Sequence, residues 1–148
     1  MNAAETFRVV VGVDGSPDSL RALEWAVTEA RLRQGQVHVV TAWQHPSMVA
    51  GDDEPDWDLT RYEARARFLQ DDAMRSVHAE QEDITGEVVQ GQAAAVLVEA
   101  SAEADLLVVG SHGYGGFTGL LLGSVSNQVL HHARCPVLVV RPRHPGRL

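Results

Sequence analysis

Leu106-Leu107-Val108-Val109-Gly110-Ser111-His112-Gly113 is followed, nine residues on, by Gly123-Ser124-Val125-Ser126. This stretch decides the fold, because it reads as a strand, a glycine-rich loop and the start of a helix in one unit. Four apolar residues in a row, at 106–109, suit a strand covered on both faces. A helix is expected over about 124–133, with Val125, Val129 and Leu130 as its apolar anchors. A loop that leaves the carboxyl end of a strand and enters a helix at small residues suits an anion. Glycines let the backbone approach closely and take positive φ, and the free N–H groups of the first helical turn point outward. Hydroxyls at Ser124 and Ser126 add further donors.

The same alternation runs through the rest of the chain. Residues 8–13 form a nearly continuous apolar run that ends at Asp14-Gly15-Ser16-Pro17. Ser16 suits an N-cap and Pro17 the first helical position. Leu20, Leu23, Val27 and Ala30 then recur at helical spacing, so a helix is expected to about residue 33, stopped by Gly35. Residues 36–42 read as a second strand and 45–58 as an acidic loop holding Pro46, Gly51 and Pro55. Tyr62, Ala66, Leu69, Ala73 and Val77 share one helix face. A strand at 85–90, an Ala-rich helix at 93–102 and a last strand at 137–140 complete the series. Strands alternating with helices predict an open α/β fold, a doubly wound parallel sheet with helices on both faces. Ligands of such sheets bind at the carboxyl ends of the strands. Two loops carry ligand-type residues to those ends: Val13-Asp14-Gly15-Ser16 and the 110–126 segment.

Composition narrows the chemistry. The chain has 148 residues, a net charge of −8 and one cysteine. That length predicts one domain over 1–148, with tails at about 1–6 and 142–148. The negative charge argues against non-specific nucleic-acid binding, and no apolar run reaches the ~20 residues of a membrane span. Met1-Asn2-Ala3-Ala4-Glu5-Thr6 has neither the basic region nor the apolar core of a signal peptide, and a lone cysteine allows no internal disulfide, so a cytoplasmic setting is expected. All twelve basic residues are arginine. Without lysine there is no Walker A lysine, no kinase strand lysine and no Schiff base. Phosphate must therefore be held by backbone N–H groups, hydroxyls, Arg or His.

Individual residues sort by context. Asp14 reads as a ligand contact, to ribose, adenine or a metal, rather than as a helix cap, because Ser16 already fits the cap. His112 lies inside the glycine motif, but no nucleophile and base pair with it in the sequence. His131 and His132 fall at a helix C-terminus, where positive charge is tolerated. His38 is mid-strand, and Cys135 before Pro136 reads as a small packed residue. Trp43 and Trp57 flank the acidic loop and read as packing beneath it rather than as covers for a base. The loop's acids lack the regular spacing of a Ca²⁺ site.

The pattern Gly110, Gly113, Gly123-Ser124 resembles the nucleotide-binding signature of the universal stress protein family. Val-Val-Val-Gly-Val-Asp-Gly-Ser-Pro at 9–17 and Cys-Pro-Val-Leu-Val-Val at 135–140 resemble the family as well. The likeness runs over about 7–141. Gly91-Gln92-Ala93 departs from it, since many members carry an acid or proline near that helix start. The resemblance implies strand order 3-2-1-4-5 and the ATP-binding subgroup. It implies that Asp14 and Ala42 meet the adenosine. The glycines, His112 and Ser124-Val125-Ser126 would wrap ribose and phosphates, often with Mg²⁺. Gly12, Val13 and Gly15 around Asp14, and Val109 before Gly110, complete the expected contact set. The expected function is ATP-dependent regulation of a stress or signalling response. AMP or cyclic AMP as ligand, slow ATP hydrolysis, and an adaptor with a vestigial pocket stand as alternatives. In that strand order 137–140 is an apolar edge, which predicts a homodimer through Val137, Leu138, Val139 and Val140.

Overall fold

The computed structural model describes residues 6–45, 57–77, 83–113 and 122–142. In chain order the elements are β1 (Arg8–Gly12), α1 (Pro17–Leu32), β2 (Gln36–Trp43), α2 (Trp57–Ser76), β3 (Ile84–Gln90), α3 (Ala93–Ser101), β4 (Leu106–Gly110), α4 (Ser124–His132) and β5 (Val137–Val140). The five strands form one sheet in the order β3-β2-β1-β4-β5, and every pair is parallel. This is the predicted α/β architecture. Val9, Val10 and Val11 are each 0% exposed, which is why β1 reads as an unbroken apolar run. Val9 and Val11 pack with Leu23, Ala26, Val27 and Ala30 of α1 and Ala73 of α2. Val10 packs on the opposite face with Leu97 of α3 and Val129 of α4.

Helix ends follow local chemistry. The Ser16 hydroxyl accepts from Ser19 N at 3.3 Å, with Pro17 opening α1. At the other end Gly35 is not the left-handed residue; Gln34 is, at φ 53°. Gln34 N donates to Arg31 O (3.3 Å) and Gly35 N to Ala30 O (2.8 Å), the paired bonds of a Schellman turn. Glycine is needed at 35 for another reason: a Cβ there would collide with the Phe7 carbonyl oxygen.

Two further expectations are corrected. Trp57 and Asp58 belong to α2 rather than to the acidic loop, whose residues 46–56 lie outside the described ones. Leu130 is 43% exposed, so Val129 anchors α4 without it. The apolar face of α2 also carries a buried amide. Gln70 Nε2 donates to Glu87 O (2.8 Å) and Thr41 Oγ1 (3.1 Å), fitting into space left by the missing side chain of Gly86. At the departure before α3, Gly91 takes φ 150°, and Gln92 caps the helix without a side-chain bond.

Candidate functional site

β1 and β4 are neighbours, so the loops that leave their carboxyl ends lie side by side with the starts of α1 and α4. The β1 loop is a tight turn. Asp14 Oδ1 accepts from Ser16 N at 2.8 Å, and Gly15 takes φ 86°, a conformation that favours glycine. The β4 loop is held from beneath by Asp18, in the first turn of α1. Asp18 Oδ2 accepts from Ser111 Oγ (3.0 Å) and from His112 N (3.1 Å), and lies 3.7 Å from His112 Nδ1.

The motif glycines serve close packing and not positive φ. Among the described glycines only Gly15 and Gly91 have positive φ, which corrects the expectation for Gly110 and Gly113. A Cβ on Gly110 would stand 2.8 Å from the Asp18 backbone. A Cβ on Gly113 would stand 2.6 Å from Asp14 Oδ2, and one on Gly123 would stand 3.2 Å from Ser111 O. Each glycine thus lets one loop press against another.

α4 enters this assembly with its first turn open. Gly123 N donates to Ser111 O at 2.6 Å, and Asn127 N closes the first helical bond to Gly123 O at 3.0 Å. The N–H groups of Ser124, Val125 and Ser126 precede that bond and have no carbonyl partner within the helix. They carry the partial positive charge of the helix end. The Ser126 hydroxyl is already committed, donating to Ser111 O (2.8 Å) and Gly123 O (3.1 Å). The hydroxyl hydrogen that the sequence suggested for an anion is therefore engaged within the protein, and the backbone N–H of Ser126 is the donor left without a helical partner.

Between these elements is a cleft of about 160 Å³. It is lined by every expected contact residue except Gly15: Gly12, Val13, Asp14, Ala42, Val109, Gly110, His112, Gly113, Gly123, Ser124, Val125 and Ser126. Gly15 shapes the turn without facing the cleft. Sequence reasoning missed Ser16, Ser19, Val40, Ala93 and Leu97, which also line it. One wall is small and apolar, from Val40 and Ala42 of β2 and Ala93 and Leu97 of α3. The other is polar, from the β4 loop and the start of α4. A larger trough of about 920 Å³ runs along α3 past Glu87, Val89 and Gln128, but it contains no glycine-rich loop.

The other candidates are satisfied elsewhere. His38 bonds Thr85 Oγ1 (2.8 Å) and Glu87 Oε1 (3.0 Å). His131 and His132 occupy the last turn of α4. Burial and then the Asp105 carboxylate push the Cys135 thiol up, away from thiolate reactivity. Trp43 ends β2 outside the cleft lining. Among the described residues no group of three or more His, Cys, Asp or Glu side chains converges as a metal site. No helix among them is long and apolar enough to cross a membrane.

Fold and site together define a class: a doubly wound α/β protein with a cleft where two glycine-bearing loops meet at the carboxyl ends of β1 and β4. More particularly, the chain belongs to the universal stress protein family, whose model matches residues 6–141. Universal stress protein Rv2005c of Mycobacterium tuberculosis is 42% identical over 135 residues, covering 90% of this chain and 45% of the relative. The chain spans about half the length of the curated relatives it matches. A universal stress protein solved in complex with cAMP is 32% identical, with 90% of this chain and 95% of that one covered and a TM-score of 0.65. A universal stress protein from Archaeoglobus fulgidus, solved in complex with dAMP, shares the fold at 23% identity and a TM-score of 0.57, covering 90% of this chain and 97% of that one.

The packing of Gly110 yields a stability prediction. Gly110→Ala forces a methyl group against the Asp18 backbone and should cost about 1–3 kcal/mol in urea unfolding. Gly113→Ala meets only a movable carboxylate and should cost less. Equal stability of Gly110→Ala and the parent protein would contradict the packing account.

Proposed function

We propose that the cleft binds an adenine nucleotide, ATP first, and that the protein works as a nucleotide-dependent regulator of a stress or signalling response. The carrying observation is the set of three open N–H groups at Ser124, Val125 and Ser126, facing a cleft walled by Gly110, Gly113 and Gly123. Phosphate takes those N–H groups, and the flat apolar base lies against Val40, Ala42, Ala93 and Leu97. In this reading Asp14, which lines the cleft, accepts from a ribose hydroxyl or an exocyclic amine. Mg²⁺ in this reading arrives bound to the phosphates, because Mg²⁺ keeps most of its ligands as water and phosphate oxygen. Regulation is favoured over hydrolysis because the chain has no lysine, and His112 Nδ1 is turned toward Ser111 Oγ at 3.2 Å.

A second reading, AMP or cyclic AMP as ligand, is favoured by the 32% identical relative solved with cAMP. The same N–H groups serve a single phosphate. Calorimetry with ATP, AMP and cyclic AMP ranks the three. Gly113→Val, which crowds Asp14 and the cleft, should weaken the tightest of them by about tenfold or more, or ~1.4 kcal/mol. Equal affinity in both proteins would reject the site.

We propose also that β5 pairs with β5 of a second copy. It is an edge strand, and Val137, Leu138 and Val139 are only half-buried. Arg21 Nε donates to Arg141 O at 3.3 Å, which sets α1 beside the end of β5; one turn along α1, Trp25 is 47% exposed. Pro136 O and Val140 O accept from β4 and its loop, so the alternating Leu138 also faces β4, while Val137 and Val139 turn their backbone groups to the open edge. Val139→Pro therefore removes an outward donor and leaves the β4 ladder intact. By light scattering the parent protein should be a dimer and Val139→Pro a monomer. A parent monomer, or a dimer unchanged by the substitution, would refute the pairing.

A further inference from the structure

We infer that Asp18, which does not line the cleft, is the positioning residue that sets the phosphate end of the site. The inference rests on the nucleotide reading above and assigns a role to a residue that reading leaves out. Asp18 belongs to α1, whereas the amides proposed to hold phosphate belong to α4. The link between them is Ser111, which is 0% exposed. Ser111 Oγ donates to Asp18 Oδ2 at 3.0 Å, while Ser111 O accepts from Gly123 N at 2.6 Å and from Ser126 Oγ at 2.8 Å. One residue thus ties the first turn of α1 to the first turn of α4. His112 N adds a second anchor on the same carboxylate oxygen, at 3.1 Å.

The Asp18 side chain is 13% exposed, so these bonds form largely out of water, where losing a shared acceptor is costly. Its negative charge is a cost to a site for phosphate. Asp18 is useful here for its oxygen, which fixes the loop, and not for its charge. Both accepted bonds fall on Oδ2, so an asparagine carboxamide oxygen in that place can accept both and carries no charge. Position and charge are therefore separable by two substitutions at one residue.

The test compares ATP with adenosine, which lacks the phosphates, by calorimetry on three proteins. Asp18→Ala should weaken ATP by about tenfold or more while adenosine stays within about twofold. Asp18→Asn should bind ATP at least as tightly as the parent protein. A ratio of ATP to adenosine affinity that is the same in Asp18→Ala as in the parent protein would overturn the inference, and so would an Asp18→Asn protein as weak as Asp18→Ala. If Asp18→Ala does not fold, Ser111→Ala cuts the Oγ arm of the link and leaves the His112 N anchor, so the affinity ratio should fall by less, and a ratio equal to that of the parent protein would overturn the inference. Amide NMR of the ligand-free proteins provides an independent arm. The Ser124, Val125 and Ser126 N–H signals should move in Asp18→Ala and hold in Asp18→Asn, and unmoved signals in Asp18→Ala would refute the positioning role. Failure of the parent protein to bind any adenine nucleotide would remove the functional reading, while this arm would still judge Asp18.

Discussion

The site depends on how closely the first turn of α1 approaches the end of β4. Gly110 has no side chain, and the Asp18 backbone occupies the space where one would be. That approach puts the Asp18 carboxylate under Ser111 and His112, and Ser111 in turn receives Gly123 and Ser126. Two helices that start from different strands are thereby fixed relative to each other within one hydrogen-bonded cluster. The cleft is the space left between them. Its shape is set by backbone contacts that side chains cannot easily adjust, which is why glycine recurs at the points of contact.

The electrostatics follow from the same design. The chain carries a net charge of −8 and no lysine, so it offers no strong basic field to an anion. What it offers is local: amides at the start of α4 and the roughly +0.5 charge of a helix N-terminus. On the proposed reading the cleft selects by geometry, taking a ligand with an anionic end and a flat apolar end, since Val40, Ala42, Ala93 and Leu97 also line it.

Much of this was legible in the sequence. The strands were, most plainly β1 and β4, which are buried on both faces and read as apolar runs, and Ser16-Pro17 marked the start of α1 by its chemistry. Strand order came from family resemblance, because periodicity carries no information about which strands are neighbours. The glycine motif was legible as a location but not as a mechanism. Gly110 and Gly113 were expected to let the backbone approach an anion and take positive φ, whereas they, with Gly123, clear space for Asp18, Asp14 and Ser111. Asp18 itself was missed, since an acid in a helix's first turn has an ordinary explanation in the helix dipole. Its partners are 93 and 94 residues away, beyond any local signal. Gln70 and Gln34 escaped for reasons of their own: one is polar on an apolar face, and the other is left-handed without being glycine.

The account's central claim is that the open amides of α4 and the glycine loop of β4 receive the phosphates of an adenine nucleotide. The most direct measurement is a titration of ¹⁵N-labelled protein with ATP, followed by amide chemical shifts. The account predicts that the largest shifts fall on Gly113, Ser124, Val125 and Ser126, with smaller ones on Ala42 and Ala93 at the base end. Saturable shifts centred elsewhere, such as along the outer groove at Glu87, Val89 and Gln128, or no shifts at all, would contradict it.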